Sequence, residues 1–233
     1  MRTGVFVQAR MRSTRLEFKM FKTLTSDYKS LLEVNLLASK KIKADEYVLL
    51  IPRKDSPWLK KIGEDYGFKI FEGSEKDVFS RFIGAANKFD IDRVVRVCGD
   101  KPVIAYKYVN ELLDIESLYD IMFYRDEPLK STTAGIYSAN IMKRIHEKIK
   151  NEETDKKDFY LEHVKPYFIE HAEQFTYFIK ENPEHLRERK IDLSIDTEEE
   201  LDKIREIFYN LYKGEPLTVE EVIKYLDDND KQT

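Results

Sequence analysis

Gly4-Val5-Phe6-Val7-Gln8-Ala9-Arg10-Met11-Arg12-Ser13-Thr14-Arg15-Leu16-Glu17-Phe18-Lys19 is the stretch that decides the fold. Its first part, Val5 to Val7, is apolar without alternation, the pattern of a short strand buried on both faces. Within one residue the chain becomes polar and carries Arg10, Arg12, Arg15 and Lys19, with only Glu17 opposing them. A buried strand thus delivers a basic loop. In open α/β sheets ligands sit just beyond the carboxyl ends of the strands, so cations placed there face a ligand rather than bulk solvent. A charge run alone reads as a solvated basic loop, but its place after the first strand, with Ser13 and Thr14 interleaved as hydroxyl donors, points to an anionic ligand, whose phosphate oxygens guanidinium forks match in geometry and charge.

Working outward, Leu31, Leu32, Val34, Leu36, Leu37 and Ala38 recur at helical spacing after Ser26-Asp27, which reads as an N-cap. Tyr47 to Ile51 is a second buried strand. Pro57 to Tyr66 reads as a helix ending at Gly67, a residue suited to a left-handed C-cap. Phe68 to Phe71 is a third strand. Gly73-Ser74 opens a helix with Val78, Phe79, Phe82, Ile83 and Ala86 on one face. Arg93 to Val97 is a fourth strand, ended by Cys98-Gly99-Asp100-Lys101-Pro102. Strands alternating with helices imply an α/β fold with a mainly parallel twisted sheet, three layers deep, with helices on both faces.

Further along, a helix is expected over Tyr106 to Leu113, a strand near Tyr119 to Tyr124, helices near Ala139 to Ile149 and Phe159 to Ala172, and strands at Phe175 to Ile179 and Ile191 to Ile195. A long helix over Glu198 to Tyr212, a break at Gly214-Glu215-Pro216 and a last helix over Val219 to Leu226 complete the pattern. The charged segment 125–158, interrupted by Pro128, reads as a lid or dimer arm. The expectation is one domain over residues 1–227 with a polar tail at 228–233.

The 233 residues, 42% hydrophobic and 12% aromatic, supply a sizeable core. A net charge of −4, from 40 basic and 44 acidic residues, argues against nucleic acid or a membrane surface as partner, which makes the basic loop a local feature. No apolar run reaches the roughly 20 residues of a membrane span, and Met1-Arg2-Thr3 leads directly into a strand, so a cytoplasmic protein is expected. The single cysteine, Cys98, excludes an internal disulfide and reads as a buried thiol.

Gln8-Ala9-Arg10-Met11, then Ser13-Thr14-Arg15-Leu16, then Lys19, resembles the N-terminal signature of the cytidylyltransferases that activate acidic sugars, most closely the spore-coat polysaccharide SpsF-like branch. Arg12 stands where that pattern has a small residue, and Glu17-Phe18 where it has Pro-Gly; glycine there would let the backbone approach a triphosphate. Three more phrases follow in the family's order, Gly73-Ser74-Glu75-Lys76-Asp77-Val78-Phe79-Ser80-Arg81, Gly99-Asp100-Lys101-Pro102 and Leu193-Ser194-Ile195-Asp196-Thr197. Leu161-Glu162-His163-Val164-Lys165-Pro166-Tyr167 resembles a further one, with Leu161 in place of an arginine. Together they cover Val5 to about Leu211.

The resemblance implies a nucleotide-diphospho-sugar-transferase-like fold and transfer of CMP from CTP to a sugar with release of pyrophosphate, in a homodimer. Gln8, Ala9, Arg10, Ser13, Thr14, Arg15 and Lys19 would bind nucleotide, with Gly73 and Arg81 beside the base. Arg10, Lys19 and Asp100 would be catalytic. Asp100 and Asp196 would hold Mg²⁺, whose preference for oxygen ligands suits carboxylates and phosphates together. Glu162 and His163 would lie at the sugar. Each role has a plainer alternative: Asp196 as the cap of the helix that follows it, Arg81 as a surface cation paired with Asp77, Glu162-His163 as a packed helix pair. Lys101 could pair with Asp100 or bind phosphate. Asp90-Ile91-Asp92, a metal motif in sugar-nucleotide glycosyltransferases, precedes its strand and reads as a solvated turn. A glycosyltransferase of similar fold and a non-catalytic relative with a disabled loop are the rival functions.

Overall fold

The computed structural model describes residues 1–13, 15–115, 119–125, 132–152, 154–184 and 192–230. Strands β1 (Thr3–Gln8), β2 (Glu46–Pro52), β3 (Lys69–Gly73), β4 (Arg93–Cys98), β5 (Ile121–Tyr124), β6 (Gly135–Ser138) and β7 (Tyr177–Lys180) form a sheet of order β3-β2-β1-β4-β6-β5-β7. Among the described residues β6 alone runs antiparallel to its neighbours, β4 and β5. The helices are α1 (Leu31–Ser39), α2 (Ser56–Asp65), α3 (Val78–Phe89), α4 (Tyr106–Leu113), α5 (Ala139–Asn151), α6 (Lys157–Glu162), α7 (Val164–Glu170), α8 (Glu198–Leu211) and α9 (Val219–Asp230).

Alternation along the central strands builds two cores, as the pleat requires. Val5 and Val7 of β1 and Leu49 and Ile51 of β2 pack with α1, α2, α4, α8 and α9. Phe6, Val48 and Leu50 face the other way, against α3, α5, α6 and α7. The three-layer α/β architecture is the one the sequence predicts. The chain winds outward from β1 through β2 to β3, then crosses to β4 on the other side of β1, so β1 and β4 flank the switch point where α/β sheets bind ligands. Their register pairs Gln8 with Cys98 at the carboxyl ends.

Several local expectations are corrected. The N-cap of α1 is Ser30, which forms a capping box with Glu33, while Ser26-Asp27 lies in a turn closed by Tyr28 N–H to Thr25 O. The expected helix over 159–172 is interrupted at His163, an extended residue between α6 and α7. β6 was not anticipated. Residues 192–195 are buried at Leu193 and Ile195 but form no strand: Ile195 N–H donates to Asp100 O, and Asp192 accepts from Ser194 N–H and Oγ. Helix α9 runs through 228–230 of the expected tail; 231–233 lie outside the described residues, as do 126–131 and Glu153 of the expected lid or arm. The rest of that segment contributes β6, inside the sheet, and α5, which supplies Ile141, Met142, Ile145 and Ile149 to the second core. No helix among the described residues is long and apolar enough to cross a membrane.

Candidate active site

A cavity of about 300 Å³ opens at the carboxyl ends of β1 and β4. Gln8, Ala9, Arg10, Ser13, Arg15 and Lys19 reach it from β1 and its loop, Arg81 from α3, Asp100 from the β4 turn, Glu162 and His163 from the α6–α7 break, and Asp196 from the approach to α8. Two expected residues are not among them. Thr14 lies outside the described residues. Gly73 sits behind Arg81: a Cβ there would meet Arg81 Cγ at 2.6 Å, so the glycine makes room for the arginine.

The loop's backbone is tied where it leaves β1. Ala9 N–H donates to Leu50 O at 3.1 Å, and Met11 N–H to the buried Asp55 carboxylate at 2.7 Å. Lys19, only 7% exposed, carries the centre of the site. Its ammonium donates to Asp100 Oδ2 at 3.0 Å, Asp196 Oδ1 at 2.9 Å and Ile195 O at 2.9 Å. Arg15 closes on the other oxygen of Asp196 at 2.7 Å. Residues 81 and 177 positions away in sequence thus converge on one ammonium.

This geometry bears on the plainer alternatives for Asp196 and on the partner of Asp100. The N-cap of α8 is Thr197, whose hydroxyl accepts from Glu200 N–H, leaving the Asp196 carboxylate to the cations. The ammonium that meets Asp100 is that of Lys19; Lys101 reaches Thr133 O at 3.5 Å. The turn that presents Asp100 is held by Asn35, a fully buried residue of α1 whose amide donates to Cys98 O at 3.0 Å and Lys101 O at 2.8 Å. Sequence reading missed Asn35, although a polar residue inside the apolar face of a helix is a sign of a buried hydrogen-bonding role.

Arg81 is 2% exposed, not a surface cation, and Asp77 pairs instead with His146 at 2.8 Å. Burial, with Arg10 nearby, pulls the Arg81 guanidinium down to about 10, so it stays charged at neutral pH. Its Nη1 donates to Leu50 O at 3.3 Å, whereas its buried Nε has no partner among the described residues. Arg10 pairs with Glu162 at 2.9 Å across the mouth; both are well exposed, so the pair contributes less than about 1 kcal/mol and yields readily to a ligand.

Arg12, Glu17 and Phe18, the departures from the family pattern, line a neighbouring recess with Trp58 and Phe21 and not the central cavity. Phe18 is left-handed, with φ 54° and 55% exposure. That recess shares Arg10, Ser13 and Glu162 with the central cavity, so the substituted side chains border Arg10 without lining the cavity that holds Arg15 and Lys19. Asp90 caps α3 in a left-handed conformation at the amino end of β4, away from the cavity, and Cys98 is a half-buried thiol in the cavity wall.

Comparison with known proteins agrees with this layout. A family model described as cytidylyltransferase matches residues 5–226. The spore coat polysaccharide biosynthesis protein SpsF of Bacillus subtilis is 28% identical over 235 residues, covering 96% of this chain and 93% of SpsF. A cytidylyltransferase structure from Leptospira borgpetersenii superposes with a TM-score of 0.85 at 24% identity, covering 99% of this chain and 96% of that one. CMP:2-keto-3-deoxy-manno-octonic acid synthetase complexed with CTP superposes with a TM-score of 0.63 at 13% identity over 89% and 98% of the two chains. The order of strands, the cavity at the switch point and a match running through nearly the whole chain lead to one assignment: this protein belongs to the cytidylyltransferase family.

Proposed function

We propose that the protein moves CMP from CTP to an acidic sugar with release of pyrophosphate, as a cytoplasmic homodimer supplying surface polysaccharide synthesis. The observation that carries the reading is the convergence of Lys19 and Arg15 on Asp100 and Asp196 at the β1/β4 switch point. The name of the SpsF relative supports the polysaccharide destination.

In the reaction the oxygen of a sugar hydroxyl bonds to the α-phosphorus and gives up its proton to solvent, as the bond to the bridging oxygen of pyrophosphate breaks. Such transfer needs chiefly positioning and charge neutralisation. Arg10, Arg15 and Lys19 take up the triphosphate and the charge of the leaving group. Gln8, Ala9 and Ser13 border the nucleotide, with Arg81 behind them at the base, and Glu162 and His163 border the sugar. Asp100 and Asp196 are oxygen donors 25–30% exposed at the cavity, which suits a hard divalent ion taking one or two carboxylates plus substrate phosphates. When bound, Mg²⁺ would supply charge neutralisation at the α-phosphate. Lys19 holds the two carboxylates together beforehand, so like charges do not drive them apart.

Pyrophosphate release from each of the four nucleoside triphosphates, with a panel of acidic sugars and with or without Mg²⁺, tests the reading. Release from CTP alone, dependent on sugar and metal, is expected. Release of free nucleotide from a nucleotide sugar would identify a glycosyltransferase instead.

A further inference from the structure

A smaller cavity of about 50 Å³ adjoins the central one and shares Arg96 and Cys98 with it. It lies over β4, β6 and β5, under α7. Arg96 occupies the middle of β4, with Phe6 of β1 beside it on one side and Gly135 of β6 on the other. Arginine in the centre of a sheet is costly unless its charge is used, because burial penalises the ion. The guanidinium is nonetheless held firmly charged: burial works against it, but Cys98, Tyr137 and Asp100 more than offset that. Its Nε is buried without a hydrogen-bond partner among the described residues, which is uncommon for so strong a donor.

The surroundings repeat the same sign. Lys101 and Lys165 also line this cavity, and no carboxylate does among the described residues, in a chain of net charge −4. The aromatic residues Phe123, Tyr137 and Phe168 enclose the cations, which strengthens their attraction for an anion. About 50 Å³, where about 10–15 Å³ suffices to hold one water, admits a group of a few heavy atoms, so the cavity takes a substituent and leaves the rest of the acceptor over the central cavity.

We infer that Arg96 is the specificity-determining residue for the acceptor, binding its carboxylate in the cavity beneath α7 while the acceptor's hydroxyl points back across Cys98 toward the nucleotide. This rests on the cytidylyl-transfer reading and adds to it the residue that selects an anionic acceptor. A guanidinium fork accepts a carboxylate in two parallel hydrogen bonds, which fixes orientation as well as charge.

The test uses CTP with 2-keto-3-deoxy-manno-octonic acid and glucuronic acid as probes, each beside its methyl ester. Pyrophosphate release gives KM for acid and ester, and calorimetry gives CTP affinity. Arg96→Gln is expected to raise KM for an acid about ten- to a hundredfold, to leave KM for the ester and CTP affinity within about twofold, and so to erase the preference for acid. Arg96→Lys retains part of the preference, because the charge stays and the fork is lost. Should Arg96→Gln fail to fold, Lys165→Ala on the opposite wall makes the same comparison with a smaller shift. Equal loss on acid and ester, or weakened CTP affinity, would overturn the inference and move Arg96 to the nucleotide or to the fold. Esters used as well as acids by the wild type, or CTP bound with no acid used, would overturn it too, whereas failure to bind CTP would count against the cytidylyltransferase reading itself.

Discussion

Replacing Lys19 by alanine removes the ammonium that three oxygens share, and the structure gives two separable consequences. The first is on folding. Removing one partner of a fully buried ion pair costs about 3–5 kcal/mol, but Asp100 and Asp196 are 25–30% exposed and Arg15 still meets Asp196, so about 1–3 kcal/mol is the reasonable range. For a chain of this length that lowers Tm by about 3–10 °C. The second is on binding. A charge-assisted phosphate contact contributes about 1.5–3 kcal/mol, so CTP affinity should fall about ten- to a hundredfold. Differential scanning calorimetry reads the first, and isothermal titration of the still-folded variant with CTP reads the second. An unchanged Tm would mean that the two carboxylates do not depend on Lys19. A CTP affinity within twofold of wild type would refute the assignment of the loop to the triphosphate.

Asp100→Asn and Asp196→Asn should each abolish turnover and, having lost a charge next to Lys19, lower Tm by only a few degrees, about 1 kcal/mol, by the same calorimetry. Phe18→Gly should raise Tm by about 1–4 °C, because a non-glycine residue at positive φ stores roughly 1 kcal/mol, and should leave CTP affinity unchanged. Asn35→Leu leaves the carbonyls of Cys98 and Lys101 unpaired, at about 1–3 kcal/mol, and should lower kcat by loosening Asp100. Partial burial raises the Asp77 carboxyl, but hydrogen bonds from His146 and Ser80 N–H outweigh this and hold it below its ordinary 3.8. A depressed carboxyl stabilises above the unfolded value and loses its contribution as pH falls through the folded one. Asp77→Asn should thus be less stable than wild type at pH 7, with the difference shrinking below about pH 4 in urea titrations.

Much of the layout was legible because it is written locally. An unbroken apolar run at Val5–Val7 followed at once by cations marks a central strand and its ligand loop, and the periodicity of Val78, Phe79 and Phe82 marks a helix face. What escaped depends on partners far away in sequence. Leu193 and Ile195 read as a strand because they are apolar and alternate, yet the Ile195 backbone bonds to the Asp100 turn and to Lys19. β6 offers only Ile136 and Tyr137 as signal, and it owes its place to pairing with β4 and β5. Arg81 and Arg96 look like ordinary charged positions, and only the packing of the layers buries Arg81 and the Nε of Arg96. The fold was thus readable from patterns of a few residues. The site was readable as a set of candidates, whose Lys19-centred arrangement was not.

That arrangement also sets a timetable for the chain's synthesis. Lys19 emerges early, Asp100 some 81 residues later, and Asp196 only 177 residues after the lysine. The central strands can pair well before then, but the basic loop must wait for segment 192–197 and α8 to dock before its last carboxylate arrives. Loops closed over such distances are slow to form, so docking of the C-terminal helices should be a late step, and a nascent chain stalled before residue 192 would carry its basic loop without the Asp196 carboxylate. The order of events ensures that the Lys19-centred cluster is completed only after residue 196 has been made.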